Sequence, residues 1–439
     1  MNLVTLADEN LRNFGEYPFI IFEDATFTNR QMINQASRLA DGLKSLGVKK
    51  GDNVVVMLPN CPEVLISYQG ILRCGAVIVP LIPLVNEREL IHILGNCEAT
   101  AMITTGDIFQ KNKTMLRTIK LLKNIILMDN DSSAGTFPFW SLIRDHSETP
   151  DLPAIGEEDL AVILYTAGTT STPKGVILTH KNLYSNAVNA ARAHGTQATD
   201  ITLIALPLSH SFGITSMNKA YTYGNLHVLM RKFQVEEAFK LIEKYKVTDF
   251  PGVPAMFITM LNSPDAERYD LSSWKSCLSG AAPFPVANLL AFQKRFNCTV
   301  FEAYGLSEAS PAVSTNYYNR PTKPGSIGQP IPEVARYGSW MIKIRMSLRG
   351  KSGNYWSKVP TFRWAITSCP KRLRRRSDMN GCTPATWRKW TKRVTCTLWK
   401  EKRTSSSVAV LMFTPMILRK SFINIQPSRT QWPSAFRLR

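Results

Sequence analysis

The stretch Tyr165-Thr166-Ala167-Gly168-Thr169-Thr170-Ser171-Thr172-Pro173-Lys174-Gly175 lies between two apolar runs, Leu160 to Leu164 and Val176-Ile177-Leu178. That order reads as strand, polar loop, strand. Side chains this small let the loop backbone approach an anion closely. Its N–H groups and threonine hydroxyls can then donate to phosphate oxygens, while Lys174 adds a positive charge. The spacing is not the G-x-x-x-x-G-K-[ST] of P-loops, because Pro173 stands where the second glycine belongs and Gly175 follows the lysine. Taken alone, the stretch can equally be read as a Ser/Thr/Gly-rich surface hairpin.

A chain of 439 residues accommodates two or three domains and a large core. Residues 30–45 place apolar side chains at helical intervals, and Gly47 ends that helix. Val54 to Leu58 reads as a buried strand, Glu63 to Cys74 as a helix, and Ala76 to Pro80 as the next strand. Glu87 to Leu94 is helical, and Ala101 to Thr104 is a further strand. The alternation implies an α/β fold around parallel strands. No segment reaches the roughly 18 uninterrupted apolar residues of a membrane span. Asp8, Glu9 and Glu16 without a basic leader argue against a signal peptide. Eight cysteines with no C-x-x-C pair suit neither zinc nor a disulfide framework, and a reducing cytosol fits them.

Three more segments carry chemistry. Leu206-Pro207-Leu208-Ser209-His210-Ser211-Phe212-Gly213 sets one histidine at the end of an apolar run, where a lone histidine is usually structural. Leu278-Ser279-Gly280-Ala281-Ala282-Pro283 is a strand end opening into a turn of small side chains, with room for a flat ring. In Val300-Phe301-Glu302-Ala303-Tyr304-Gly305-Leu306-Ser307-Glu308, Tyr304 offers an aromatic face, Ser307 a hydroxyl and Glu308 a hard oxygen ligand. A solvated glutamate after a turn is commonplace, so the pentapeptide alone says little.

In this order, with 138 residues from Gly168 to Leu306, the segments resemble those of the adenylate-forming (AMP-binding) superfamily. Its motifs are [YF]-T-S-G-T-T-G-x-P-K-G, L-P-x-x-H-x-x-G and Y-G-x-T-E. Ala167 replaces a serine, Ser171 a glycine and Ser307 a threonine. Gly47-Val48, Gly51-Asp52, Asn60, Gly75-Ala76-Val77 and Lys323 to Pro330 extend the match, which covers residues 1–334. Within the superfamily it is nearer to long- and medium-chain fatty-acid–CoA ligases than to luciferases or amino-acid-adenylating domains.

The resemblance implies a large α/β N-terminal domain, built of parallel βα sheets with helices, that acts on a fatty or other carboxylic acid, ATP and coenzyme A. On that reading Thr166, Gly168, Thr169, Thr170 and Lys174 hold phosphates, and Thr166 with Glu308 holds Mg²⁺. Gly280, Ala281, Glu302, Ala303, Tyr304, Gly305 and Ser307 frame the adenine nucleotide, and His210 flanks the acyl channel. Lys174, Glu308 and His210 form the catalytic set. The same reading implies a cytoplasmic protein, allows peripheral membrane contact and a homodimer, and calls for no specific nucleic acid.

The match stops after about Val334. Residues 1–335 carry 29 Lys/Arg against 31 Asp/Glu, whereas 336–439 carry the remaining 24 of 53 against 2 of 33. Seven of nine tryptophans also fall in that last part. No T-G-D segment and no C-terminal domain with a catalytic lysine can be read there. The genetic code offers a test. Let each hidden codon take the third base of one codon and the first two of the next. Trp and Met have single codons, so Trp390-Thr391 forces aspartate, Trp399-Lys400 glutamate, Met412-Phe413 valine and Met416-Ile417 aspartate. Gly381 to Arg403 can then hide W-L-H-T-G-D-M-A-K-M-D-E-E-G-Y-L-Y-I-V-E-R-K-K, and Thr404 to Ser421 can hide D-I-I-I-S-G-G-F-N-V-Y-P-N-D-I-E-E-V. Both resemble adenylate-forming sequence, and every forced position agrees. Residues 335–439 thus read as an out-of-frame basic tail, expected to be largely disordered in place of the small domain. The run Lys371-Arg372-Leu373-Arg374-Arg375-Arg376, otherwise a nucleic-acid signal, reads as a by-product of that frame.

Overall fold

The computed structural model describes residues 1–129, 134–166 and 173–331, together with the backbone of Ile366–Thr367. Two sheets organise these residues. The first has eight strands, in the spatial order Ile366–Thr367, Lys174–Thr179, Leu160–Thr166, Val77–Pro80, Asn53–Met57, Ala101–Thr104, Asn124–Leu127 and Thr136–Pro138. The second has nine: Gln329–Pro330, Ala312–Thr315, Thr299–Gly305, Ser276–Ser279, Asp249–Gly252, Ile201–Ile204, Leu226–Leu229, Pro18–Phe22 and Ala25–Thr28. The strands at the centre of each sheet run parallel.

The helices form where the sequence alternates. Asn29–Ser45 opens on a capping box in which Thr28 accepts from Gln31 N–H and the Gln31 side chain accepts from Thr28 N–H. Gly47 follows with φ +81°, where other residues would be strained. Pro62–Arg73 and Glu87–Asn96 sit where helices were expected. Among the described residues, six helices share one core with both sheets. Leu3–Phe14, Asn29–Ser45, Pro62–Arg73, Phe139–Arg144, His180–His194 and Ser211–Tyr223 pack there with Val54, Val56 and Leu164 of the first sheet and Ile20, Ile204 and Leu229 of the second. The outer face of the second sheet carries Val235–Tyr245, Pro254–Leu261 and Val286–Phe296 over an aromatic cluster around Phe250, Trp274 and Phe292.

The sheets are mixed rather than wholly parallel. Leu160–Thr166 and Lys174–Thr179 are antiparallel, as are Pro18–Phe22 with Ala25–Thr28 and Thr299–Gly305 with Ala312–Thr315. Short connections impose this, since a parallel return needs a crossover. Among the described residues no helix is long and apolar enough to cross a membrane. The five described cysteines are buried and free. The expectation for 335–439 lies outside the described residues, except that Ile366 pairs with Val176 and Thr367 with Gly175.

Candidate functional site

The hairpin supplies two posts. Thr166 and Lys174 face each other across the antiparallel ladder, and both are half-buried. Gly168, Thr169 and Thr170 lie outside the described residues. Helix Glu87–Asn96 braces the base of the loop: His92 Nε2 is 3.1 Å from the Pro173 carbonyl, and the Tyr165 hydroxyl donates to Asn96 Oδ1 at 2.5 Å.

The turn Ser307–Ala309 packs against the strand Lys174–Thr179. This brings the segment bearing Glu308 to the strand bearing Lys174. Ser307 Oγ donates to Ser211 Oγ at 3.3 Å, and Ser211 follows His210. His210 in turn caps the helix Ser211–Tyr223, its Nδ1 accepting from Phe212 N–H at 3.2 Å. Burial pushes its pKa down to about 4, so the ring is neutral at pH 7 with its proton on Nε2. Three segments distant in sequence thereby meet at one place.

The small-residue turn lies beside them. Gly280 N–H donates to Gly252 O at 3.2 Å. A Cβ at Gly280 would sit 3.1 Å from the Phe212 ring and 3.6 Å from the Ala303 carbonyl oxygen, so these three residues touch. Ala281 adopts φ +65°, which turns the chain sharply away from the strand. Gly305 has no room for a side chain, because a Cβ would collide with the Pro311 carbonyl oxygen. Tyr304 pairs with Ser314, and its phenol pKa is raised by burial and, secondarily, by the Glu308 charge.

Glu302 reaches this region through its backbone, which pairs with Ser279. Its carboxylate is engaged elsewhere: Oε2 accepts from Gly325 N–H at 2.7 Å, and burial raises its pKa. Two supporting asparagines escape sequence reading as such. Asn60 donates to the carbonyls of Leu206 and Met230 at 2.9 and 3.1 Å and accepts from Leu208 N–H at 2.9 Å, which fixes the approach to His210. Asn186 donates to Ala312 O at 3.0 Å and so holds the loop after Glu308. Asn60 was visible only as part of the motif match, and Asn186 carries no local signal. Among the described residues no group of three or more His, Cys, Asp or Glu forms a ready-made metal cage.

The model of the AMP-binding enzyme family matches residues 7–337. A long-chain-fatty-acid–CoA ligase of Bacillus subtilis (strain 168) is 35% identical over 361 residues, covering 76% of this chain and 64% of that protein. 4-Coumarate–CoA ligase 1 of Petroselinum crispum is 31% identical over 322 residues, covering 71% and 58%. Among solved structures, an anthranilate–CoA ligase in complex with anthranoyl-AMP superposes with a TM-score of 0.72 at 25% identity, over 75% of this chain and 64% of that one. A long-chain-fatty-acid–CoA ligase from Archaeoglobus fulgidus does so with a TM-score of 0.68 at 28% identity, over 75% and 68%. The chain spans about three fifths of the length of the curated relatives it matches. With the family model spanning residues 7–337 and the α/β sheets superposing on acid–CoA ligases, this chain belongs to the AMP-binding, adenylate-forming enzymes.

Proposed function

We propose that residues 1–334 are the large domain of an ATP-dependent fatty-acid–CoA ligase of the cytoplasm, and that residues 335–439 are an out-of-frame continuation. The observation that carries the first part is the packing of the Ser307–Ala309 turn on the Lys174 strand, with Ser307 joined to Ser211 beside His210. In such a reaction the substrate carboxylate attacks the α-phosphate of ATP, giving an acyl-adenylate and pyrophosphate. The CoA thiol then displaces AMP. In-line displacement at phosphorus needs positioned cations and donors rather than a protein nucleophile.

Lys174 supplies a cation at the phosphate loop, and the Thr166 hydroxyl donates beside it. Mg²⁺ binds through one or two carboxylates plus substrate phosphates, so the half-buried Glu308 with Thr166 fits it without a prebuilt cage among the described residues. When bound, the ion neutralises phosphate charge. The Gly280–Ala281 turn and Ala303 leave space for the adenine, and Tyr304 offers its ring face. A neutral His210 beside the acyl path brings no charge that would have to be desolvated.

Hydrogen exchange on the 439-residue chain tests the nucleotide half of this reading. Mg-ATP should slow exchange across residues 166–175, and Lys174→Ala should abolish the effect. Equal protection in the variant would reduce the stretch to a plain hairpin.

A further inference from the structure

Helix Glu87–Asn96 belongs to none of the motifs, yet it touches both legs of the candidate phosphate hairpin. Its apolar face is seated on the first sheet. Leu90, Ile93 and Leu94 are buried in one cluster with Val79 and Ile163, and Tyr165 and Ile177 pack on that cluster from the hairpin. Both ends of the helix are tied down. Asn86 Oδ1 accepts from Glu89 N–H at 2.9 Å, and the Cys97 carbonyl accepts from Asn53 Nδ2 at 2.6 Å. Side chains carried on a packed helix hold their direction better than side chains carried on a loop.

His92 and Asn96 stand four residues apart, hence on one side of this helix. Asn96 Oδ1 accepts from the Tyr165 hydroxyl at 2.5 Å, one residue before Thr166 on the incoming leg. His92 Nε2 lies 3.1 Å from the Pro173 carbonyl oxygen on the outgoing leg. A carbonyl only accepts, so Nε2 is the donor. Pro173 lies one residue beyond the last ladder pair, Thr166 with Lys174, and proline has no N–H. Its carbonyl is therefore its only hydrogen-bonding group, and His92 holds it.

The Pro173–Lys174 peptide is trans and planar, so the Lys174 N–H points opposite to that carbonyl, away from the helix. Fixing the carbonyl fixes the plane from which Lys174 departs. Without the bond to His92 the plane can turn, and the lysine loses its set direction. We propose that His92 is a positioning residue for the phosphate lysine: its bond to the Pro173 carbonyl aims Lys174 at the outer phosphates of ATP. The inference rests on the ligase reading above and adds to it a residue from outside the motifs.

Calorimetric titration of the 439-residue chain with Mg-ATP and with AMP tests it, since AMP lacks the outer phosphates. His92→Leu keeps bulk without a donor. It should weaken Mg-ATP binding about fivefold or more, the worth of one hydrogen bond, and leave AMP binding within about twofold. His92→Gln, whose amide nitrogen can donate from a similar reach, should restore Mg-ATP affinity. Equal weakening of both nucleotides by His92→Leu would reduce His92 to a support of the fold and overturn the proposal. So would unchanged Mg-ATP affinity in His92→Leu, or a loss that His92→Gln does not repair. Each of these results leaves the ligase reading standing. If the unchanged chain binds neither nucleotide, the ligase reading fails and the proposal with it.

Discussion

His180, His210 and His227 are each pushed by burial to a pKa of about 4. His180 Nδ1 accepts from Leu3 N–H at 3.3 Å and ties the first helix to the hairpin's following helix. His227 is closed in by Asn225, whose carbonyl lies 3.1 Å from its Nδ1. An unfolded chain takes up these protons near pH 6.5, whereas the folded chain resists until about 4. Between those values the unfolded state binds more protons, so stability falls as pH is lowered through the window and is fully present above it. For His180 and His227, which are buried, each contribution is at most about 3 kcal/mol. Thermal denaturation across that range should show a steep acid-side loss, and His180→Gln should make it shallower. A flat profile would mean that these imidazoles titrate in the fold at their ordinary value.

The element that positions Glu308 is the bulged end of the strand Thr299–Gly305, where the register slips between Tyr304 and Gly305. Leu306 N–H donates to Pro311 O at 3.0 Å, closing the turn tightly over Gly305. Gly305→Ala must push this turn apart, at about 1–3 kcal/mol. Because the bulge lies at the very end of its strand, circular dichroism should remain that of the folded chain while Mg-ATP affinity falls at least tenfold. Retained affinity would show that Glu308 does not depend on this turn. Elements of this kind differ in how plainly the sequence shows them. Asn53–Met57 and Ala101–Thr104 are legible because strands buried on both faces read as unbroken apolar runs. The hairpin Pro18–Phe22 with Ala25–Thr28 is not: its turn uses Glu23 and Asp24 at positive φ with no glycine to announce it. Its place beside Leu226–Leu229 depends on pairing across some two hundred residues, which no local pattern encodes. The site divides the same way. Thr166, Lys174, His210 and Glu308 stand in motifs, but burial and tertiary contact alone separate Glu302, which anchors Gly325, from the half-buried Glu308.

At the scale of the molecule, two sheets and the six helices that share their core form the platform, and the Thr166–Lys174 hairpin, the Glu308 turn and His210 meet on it. On the proposed reading such a platform would position ATP and acid but leave two tasks to other residues. In the family resemblance these fall to an aspartate that holds the ATP ribose and to a lysine on a small C-terminal domain. Neither can be read in residues 335–439 as translated. Losing one preorganised electrostatic group typically costs about 10²–10³ in rate, or roughly 3–4 kcal/mol. Losing the lysine together with the ribose anchor should cost at least that much. A missing small domain also removes the surface that closes over the site and presents CoA, so thioester formation should suffer further. The 439-residue chain should therefore show no detectable acyl-CoA ligase turnover. The coding DNA, read one base out of step after codon 335, should encode the T-G-D segment and the lysine-bearing domain, and the protein expressed from the corrected frame should release pyrophosphate and form acyl-CoA. Turnover at ordinary enzyme rates by the chain as written, or stop codons scattered through the alternative frame, would defeat this account of the last hundred residues. An inactive product from an open corrected frame would instead place the defect within residues 1–334.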